Sequence, residues 1–184
     1  MNKTTIQLAT VLYLCFLANT KALEVTILGS DGNHIPSSEA AIILKSGAYQ
    51  KGTPEAGRIL FEPFTGQARI FLAAPGYEAE SRPISDAENA TFTLKPSPTK
   101  DSIIIYGRRT LPEKGGDINP ILDTQNRMYM YGLGIGLFEG TIPAKQPLAF
   151  RLKSAISAQD SQGKRFKIYV VDISQTASLV EYTK

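Results

Sequence analysis

Residues 23–34 read LEVTILGSDGNH. Leu23, Val25 and Ile27 alternate with Glu24 and Thr26, the period of a strand with one face buried. Ser30-Asp31-Gly32-Asn33 ends the run, because Gly and Asn tolerate positive φ and Asp hydrogen-bonds its own backbone. The alternation of strand and turn continues downstream. Residues 40–44 form a continuous apolar run closed by Ser46-Gly47. Residues 58–61 lie between Gly57 and Pro63. Residues 66–73 put Ala68, Ile70 and Leu72 on one face and stop at Pro75-Gly76. Residues 82–84 are brief, and Pro83, which cannot donate to a ladder, marks an edge. Thr91, Thr93 and Lys95 alternate with Phe92 and Leu94. The spacing predicts seven short strands between Leu23 and Pro96, folded as an antiparallel β-sandwich. Ile27, Leu44, Phe61, Leu72 and Phe92 are its expected core.

The ordered set of turns resembles that of the carboxypeptidase regulatory-like domain, a transthyretin-like sandwich. The residues that carry the resemblance are Asp31-Gly32-Asn33 after the opening strand, Ala40 before an apolar strand, and Thr53 ahead of Gly57 and Phe61. Gly66, Gly76-Tyr77-Glu78 and the closing Phe92-Thr93-Leu94-Lys95-Pro96 complete it. Gln67-Ala68-Arg69 stands where that family usually carries an aromatic residue. The resemblance covers residues 23–96 and implies a non-catalytic accessory module beside an enzyme, receptor or surface protein. The zinc-peptidase domain that gave the family its name is not present in this sequence, and His34 is the only histidine for a chemistry that needs several ligands. The purine-pathway hydrolase built on the same fold also needs more than one histidine.

Ahead of this unit, residues 6–17 are apolar apart from Gln7 and Thr10, and Thr20-Lys21-Ala22 follows with small residues at the peptidase positions. Residues 1–22 are therefore expected to be a secretory signal peptide. The run is short for crossing ~30 Å of hydrocarbon. Leu14 before Cys15 is not a lipobox residue. Lys3 and Lys21 leave with the signal, which takes 20 Lys+Arg against 17 Asp+Glu close to balance and argues against a nucleic-acid partner. Cys15 leaves too, so the exported chain is disulfide-free and relies on packing. The expected location is the periplasm or outside the cell.

Residues 97–100 read as a linker, stiffened by Pro96 and Pro98. Residues 101–184 read as a second β-rich unit without a family resemblance. Residues 103–106 predict a strand. Phe166, Ile168 and Val170 share one face against Arg165, Lys167 and Tyr169, with Ser161-Gln162-Gly163-Lys164 as the hairpin turn before them. Leu148, Phe150 and Leu152 also share a face, and residues 177–182 suit a final strand. In residues 128–138, Tyr129, Tyr131, Leu133, Ile135 and Leu137 have one parity, and Met130, Gly132, Gly134 and Gly136 the other. Read as one strand, the stretch has a bulky face and a bare one. The bare face admits a partner or a neighbouring sheet, and a bent strand against a sheet is the favoured reading. Tyr129, Tyr131, Gly132, Gly134 and Gly136 are the candidate binding residues.

No catalytic or metal-ligating set is evident, and no cofactor is expected. His34 lies in a polar turn and reads as a surface residue. Gly-x-Ser-x-Gly is absent. Asp117, Asp123, Asp160 and Asp172 lack calcium-loop spacing and read as loop charges. Arg108-Arg109 reads as a solvated pair at a strand end. Asn89-Ala90-Thr91 matches a glycosylation acceptor. The expected function is that of an exported, non-enzymatic binding or accessory protein of the cell envelope, recognising another protein or a surface polymer such as a carbohydrate. The alternatives are a structural subunit joined by strand addition and, more remotely, a carboxylate-dependent hydrolase.

Overall fold

The computed structural model describes residues 22–85 and 89–184. The expected signal peptide therefore lies outside the described residues, apart from Ala22. The chain is all-β, and its one helical element among the described residues is a 3-10 turn at Pro112–Lys114. The first eight strands are β1 (Leu23–Leu28), β2 (Glu39–Leu44), β3 (Tyr49–Lys51), β4 (Thr53–Glu55), β5 (Arg58–Phe61), β6 (Ala68–Ala73), β7 (Glu80–Ile84) and β8 (Ala90–Thr93). Then come β9 (Lys100–Ile105), β10 (Arg109–Leu111), β11 (Gly116–Leu122), β12 (Met128–Leu133) and β13 (Gly136–Glu139). The chain ends with β14 (Ile142–Pro143), β15 (Leu148–Ala149), β16 (Ala155–Gln159), β17 (Arg165–Ile173) and β18 (Ser178–Thr183).

These strands form four sheets. Sheet I has the order β4-β5-β1-β8, and sheet II the order β3-β2-β6-β7. Sheet III has six strands, β14-β13-β16-β17-β18-β9, and sheet IV has four, β10-β11-β12-β15. Sheets I and II enclose one core, with Val25, Ile27, Ile42, Ile59, Phe61, Ile70, Leu72 and Phe92 buried in it. Leu44, expected in that core, packs at its margin and is half-buried. Sheets III and IV enclose a second core around Ile105, Ile118, Met130, Leu137, Ile168 and Val180.

The sandwich expectation holds in class but not in strand count. Eight strands stand in residues 23–93 where turn spacing predicts seven. The three-residue β3 and β4 flank Gly52, at which a Cβ would lie 2.1 Å from the Ile59 side chain. Segments so short carry no readable alternation. One pairing departs from the antiparallel pattern: β8 runs parallel to β1.

A third apolar cluster joins the two sandwiches. Ala41 and Ile43 of β2 and Phe71 and Ala73 of β6 meet Ile104 of β9, Ala177, and Leu179 of β18. The central strands of sheet II, β2 and β6, are therefore buried on both faces, which explains the apolar run AAIIL over residues 40–44 of β2. On β6, Ala68, Ile70 and Leu72 enter the first core while Phe71 and Ala73 enter the junction. The segment read as a linker is tied down. Ser97 is buried and donates from its backbone N–H to the Gly76 carbonyl at 2.7 Å, and Lys100 already belongs to β9.

Side chains from one unit complete backbone groups of the other around this junction. Ser102 Oγ accepts from the Ala74 N–H and donates to the Ala74 carbonyl, both at 2.9 Å. Glu181 Oε1 accepts from the Ala79 N–H at 2.9 Å, and Asp101 Oδ1 from the Gly76 N–H at 2.7 Å. Asp172 accepts from the Arg69 guanidinium at 2.8 Å and from Ser81 Oγ at 2.5 Å. Tyr49 and Tyr106 meet with ring centroids 4.6 Å apart, and burial pushes the Tyr106 phenol well above its ordinary range.

Truncating Phe71, fully buried in the junction, to Ala is expected to cost about 3–5 kcal/mol in urea unfolding of the full chain. A fragment spanning residues 23–96 uncovers Ile43 and Phe71. It is expected to keep a β signal in circular dichroism and to self-associate in sedimentation experiments. Replacing both residues by Lys should return it to a monomer.

Candidate functional site

The strand reading of residues 128–138 needs correction. The run is two strands in different sheets: β12 belongs to sheet IV and β13 to sheet III, with a break at Gly134 and Ile135. Gly134 has φ +75°, a left-handed conformation that Gly adopts freely. The break shifts the alternation. Met130 points into the second core from β12, while Ile135 and Leu137 point into it after the break.

The glycines consequently face their own chain. A Cβ on Gly132 would lie 2.4 Å from the Ile135 carbonyl oxygen, and one on Gly134 3.0 Å from that of Gly115. A Cβ on Gly136 would meet the Phe138 ring at 3.3 Å. Their bare sides are filled by backbone and side chains of the same unit. Gly116 completes the crossing, since a Cβ there would sit 2.6 Å from the Leu133 carbonyl oxygen. Nothing in the parity pattern singles out Gly116, because its contact depends on the pairing of β11 with β12.

The tyrosines are placed differently. Register pairs Ile121 with Tyr129, Asn119 with Tyr131 and Asp117 with Leu133, and pairs Tyr129 with Ala149 on the other side. These residues share the parity opposite to the buried Ile118 and Met130, so they form the outer face of sheet IV. Tyr131 is 41% exposed and Leu133 64% exposed. The Arg127 guanidinium lies 5.7 Å from the centre of the Tyr129 ring and donates to Asp123 Oδ2 at 2.7 Å. Asp123 also accepts from the backbone N–H groups of Gln125 and Arg127, each at 2.8 Å. These bonds hold its carboxyl below the usual range and fix the β11–β12 turn. Pro120 fits within β11 because β10 pairs only with residues 116–118, so no neighbour on that side needs its missing donor.

The other residues weighed from sequence are dispersed. His34 is exposed and sits beside Gly57. Asp117 accepts from Thr110 Oγ1 at 2.6 Å, and Asp160 closes the β16–β17 turn by accepting from the N–H groups of Gln162 and Lys164. Asp172 bridges the units as described. No group of three or more His, Cys, Asp or Glu is placed to hold a metal ion among the described residues. The Arg108-Arg109 pair divides. Arg108 lies 3.7 Å from Asp117, whereas Arg109 donates to both Glu39 oxygens at 2.7 Å and to the Ile104 carbonyl at 2.8 Å.

A groove of about 760 Å³ opens between the units beside Leu44, Lys45, Arg69, Ile84 and Ser174. The Arg69–Asp172 bridge closes one wall, and no convergent acid–base pair stands in it. No helix among the described residues is long and apolar enough to cross a membrane.

No family model matches the sequence, and no curated protein matches it. Among solved structures it is similar to the Bacillus anthracis TIE protein at 11% identity, with a TM-score of 0.32. The alignment covers 86% of this chain and 30% of that one, so this chain spans less than a third of its length. At that score neither fold nor function is carried across.

Replacing Gly134 by Val is expected to destabilise the second unit by at least about 1–3 kcal/mol, from positive φ alone. Gly140 also has positive φ but has nothing within 4 Å of a Cβ, so Gly140→Ala should cost less. Thermal melts of the two variants check the order.

Proposed function

We propose that this chain is an exported, non-catalytic recognition protein of the cell envelope whose binding surface is the outer face of sheet IV. The observation that carries this reading is the outer-face strip in which Tyr131 and Leu133 are exposed and Tyr129 and Ile121 half-buried, on a sheet whose inner face is already core. Aromatic and aliphatic groups on a rigid sheet supply contact area at low entropic cost, which suits a protein partner. Export rests on the apolar run ahead of Thr20-Lys21-Ala22. The non-catalytic reading rests on the single histidine and on carboxylates spread over separate structural contacts. Residues 23–96 are proposed to be a carboxypeptidase regulatory-like module. The turn order and the packing of two four-stranded sheets support this, and such a module would serve as the support for the binding unit.

Edge chemistry favours recognition by a face over strand addition. The edge strands β4, β7 and β14 carry Pro54, Pro83 and Pro143. Those of β3, β10 and β15 have three residues or fewer, and β8 has four. The longest edge, β9, is capped by side chains: Ile104 donates its N–H to Glu39 at 3.3 Å and receives Arg109 on its carbonyl.

The double variant Tyr131→Ser, Leu133→Ser is expected to keep its melting temperature, since both residues are exposed. It should lose at least tenfold in affinity for a discrete envelope protein captured by the wild-type chain. Undiminished capture would refute the face. Concentration-dependent oligomers in mass photometry would favour the assembly subunit instead.

A further inference from the structure

Sheet III is wider than sheet II, which packs on it through β9, β18 and the C-terminal part of β17. The outer side of β13, β16 and the N-terminal part of β17 therefore projects beyond the junction. Register lays one row of side chains across it: Phe138, Ser157 and Lys167, continued through Thr183 to Lys100 on β9. Neighbouring strands are ~4.8 Å apart, so Lys167 and Lys100 stand roughly 10 Å apart with a threonine between them. Arg165 and Tyr169 flank the row on β17. A groove of about 720 Å³ follows it, lined also by Thr99 and Thr141.

The charges here are not balanced. Arg165 and Lys167 have no carboxylate partner among the described residues, and the Arg165 guanidinium lies 3.4 Å from the centre of the Phe138 ring. That stacking holds the fork in place while its N–H groups remain at the surface. Lys100 donates to Glu181 Oε2 at 2.8 Å and lies 4.6 Å from the centre of the Tyr169 ring. An ammonium has three donors, so Lys100 keeps capacity for a ligand. The hydrogen bond to Glu181 raises its pKa and keeps it cationic. Glu181 is itself buried and also bound to the Ala79 N–H, and Glu139 lines a different groove beside Ile142. In a chain of nearly balanced charge, this cluster is a local cationic field.

We propose that this overhanging face binds an acidic polysaccharide. Its carboxylate or sulfate groups would engage Arg165, Lys167 and Lys100, and its sugar hydroxyls would engage Ser157, Thr183, Thr141 and Thr99. Alternating cations and hydroxyls match a polymer that presents anionic groups between neutral hydroxyls. The groove offers little to an acidic peptide, because its one phenylalanine, Phe166, is buried in the second core and β9, the edge strand at its margin, is engaged at Ile104 by Glu39 and Arg109. The site lies on the opposite side of the second sandwich from Tyr131.

The test measures binding of the full chain to polygalacturonate (carboxylate) and to dextran sulfate (sulfate). Neutral dextran, polyglutamate and a single-stranded DNA oligonucleotide serve as comparisons. At least one acidic polysaccharide is expected to bind, with affinity falling as salt rises. Lys167→Glu should lower that affinity at least tenfold with an unchanged melt, because Lys167 is exposed. Tyr131→Ser, Leu133→Ser should bind as the wild type does, which separates this site from the outer face of sheet IV. Three results would each overturn the proposal: no binding to either polysaccharide, equal binding to polyglutamate or DNA, or full binding by Lys167→Glu.

Discussion

The two-sided burial of the central strands of sheet II is the constraint from which the remaining architecture follows. Strands β2 and β6 alternate apolar side chains into two different cores, and neither face can be left in water. Sheet I covers one face, and Ile104, Ala177 and Leu179 of the second unit cover the other. Phe71 at the centre of that contact is fully buried, as are Ile104 and Leu179. Burying such a side chain stabilises by roughly 1.5–3 kcal/mol each, so the junction rivals a small core in what it contributes. The order of the stack, I-II-III-IV, is a consequence of which faces are apolar.

Polar groups then select one arrangement among the many that would cover an apolar face. The N–H groups of Gly76, Ala74 and Ala79 are completed by Asp101, Ser102 and Glu181 from the other unit. A slip of one residue along β9 would replace Ser102 by Asp101 or Ile103 opposite Ala74 and leave a donor and an acceptor unpaired. An unpaired buried group costs about 1–3 kcal/mol, so these bonds penalise misplacement more than they reward the correct fit. Glu39 and Arg109 act similarly, joining the start of β2 to the segment after β9 and closing the longest free edge.

The mismatch in sheet width leaves two surfaces of unlike chemistry on the second unit. Covering β9 and β18 with a narrower sheet exposes the far side of sheet III, where Arg165 and Lys167 project. Sheet IV covers the inner face of the same sheet and turns Tyr129, Tyr131 and Leu133 outwards. One face is aromatic and aliphatic, the other cationic and hydroxyl-rich, and the second sandwich separates them.

Sequence alone determined the all-β class, because short alternating segments between turn residues have few other solutions. It also placed Ile27, Phe61, Leu72 and Phe92 inside, and the inward row of Phe166, Ile168 and Val170, since period two is a local property of an extended chain. It did not determine the parity of residues 128–138. A single residue at positive φ, Gly134, moves the chain from one sheet to another and shifts every later side chain to the opposite face, and alternation cannot register that event. For the same reason alternation left open whether a partner or the chain's own sheet meets the bare glycine side, which the Ile135 and Gly115 carbonyls occupy. The cationic row from Lys167 to Lys100 was equally invisible, because the two residues are joined only through the pairing of β9 with β18 and of β18 with β17. Tertiary structure decided which faces meet and which remain in solvent, because those choices depend on pairings between distant segments that no local pattern encodes.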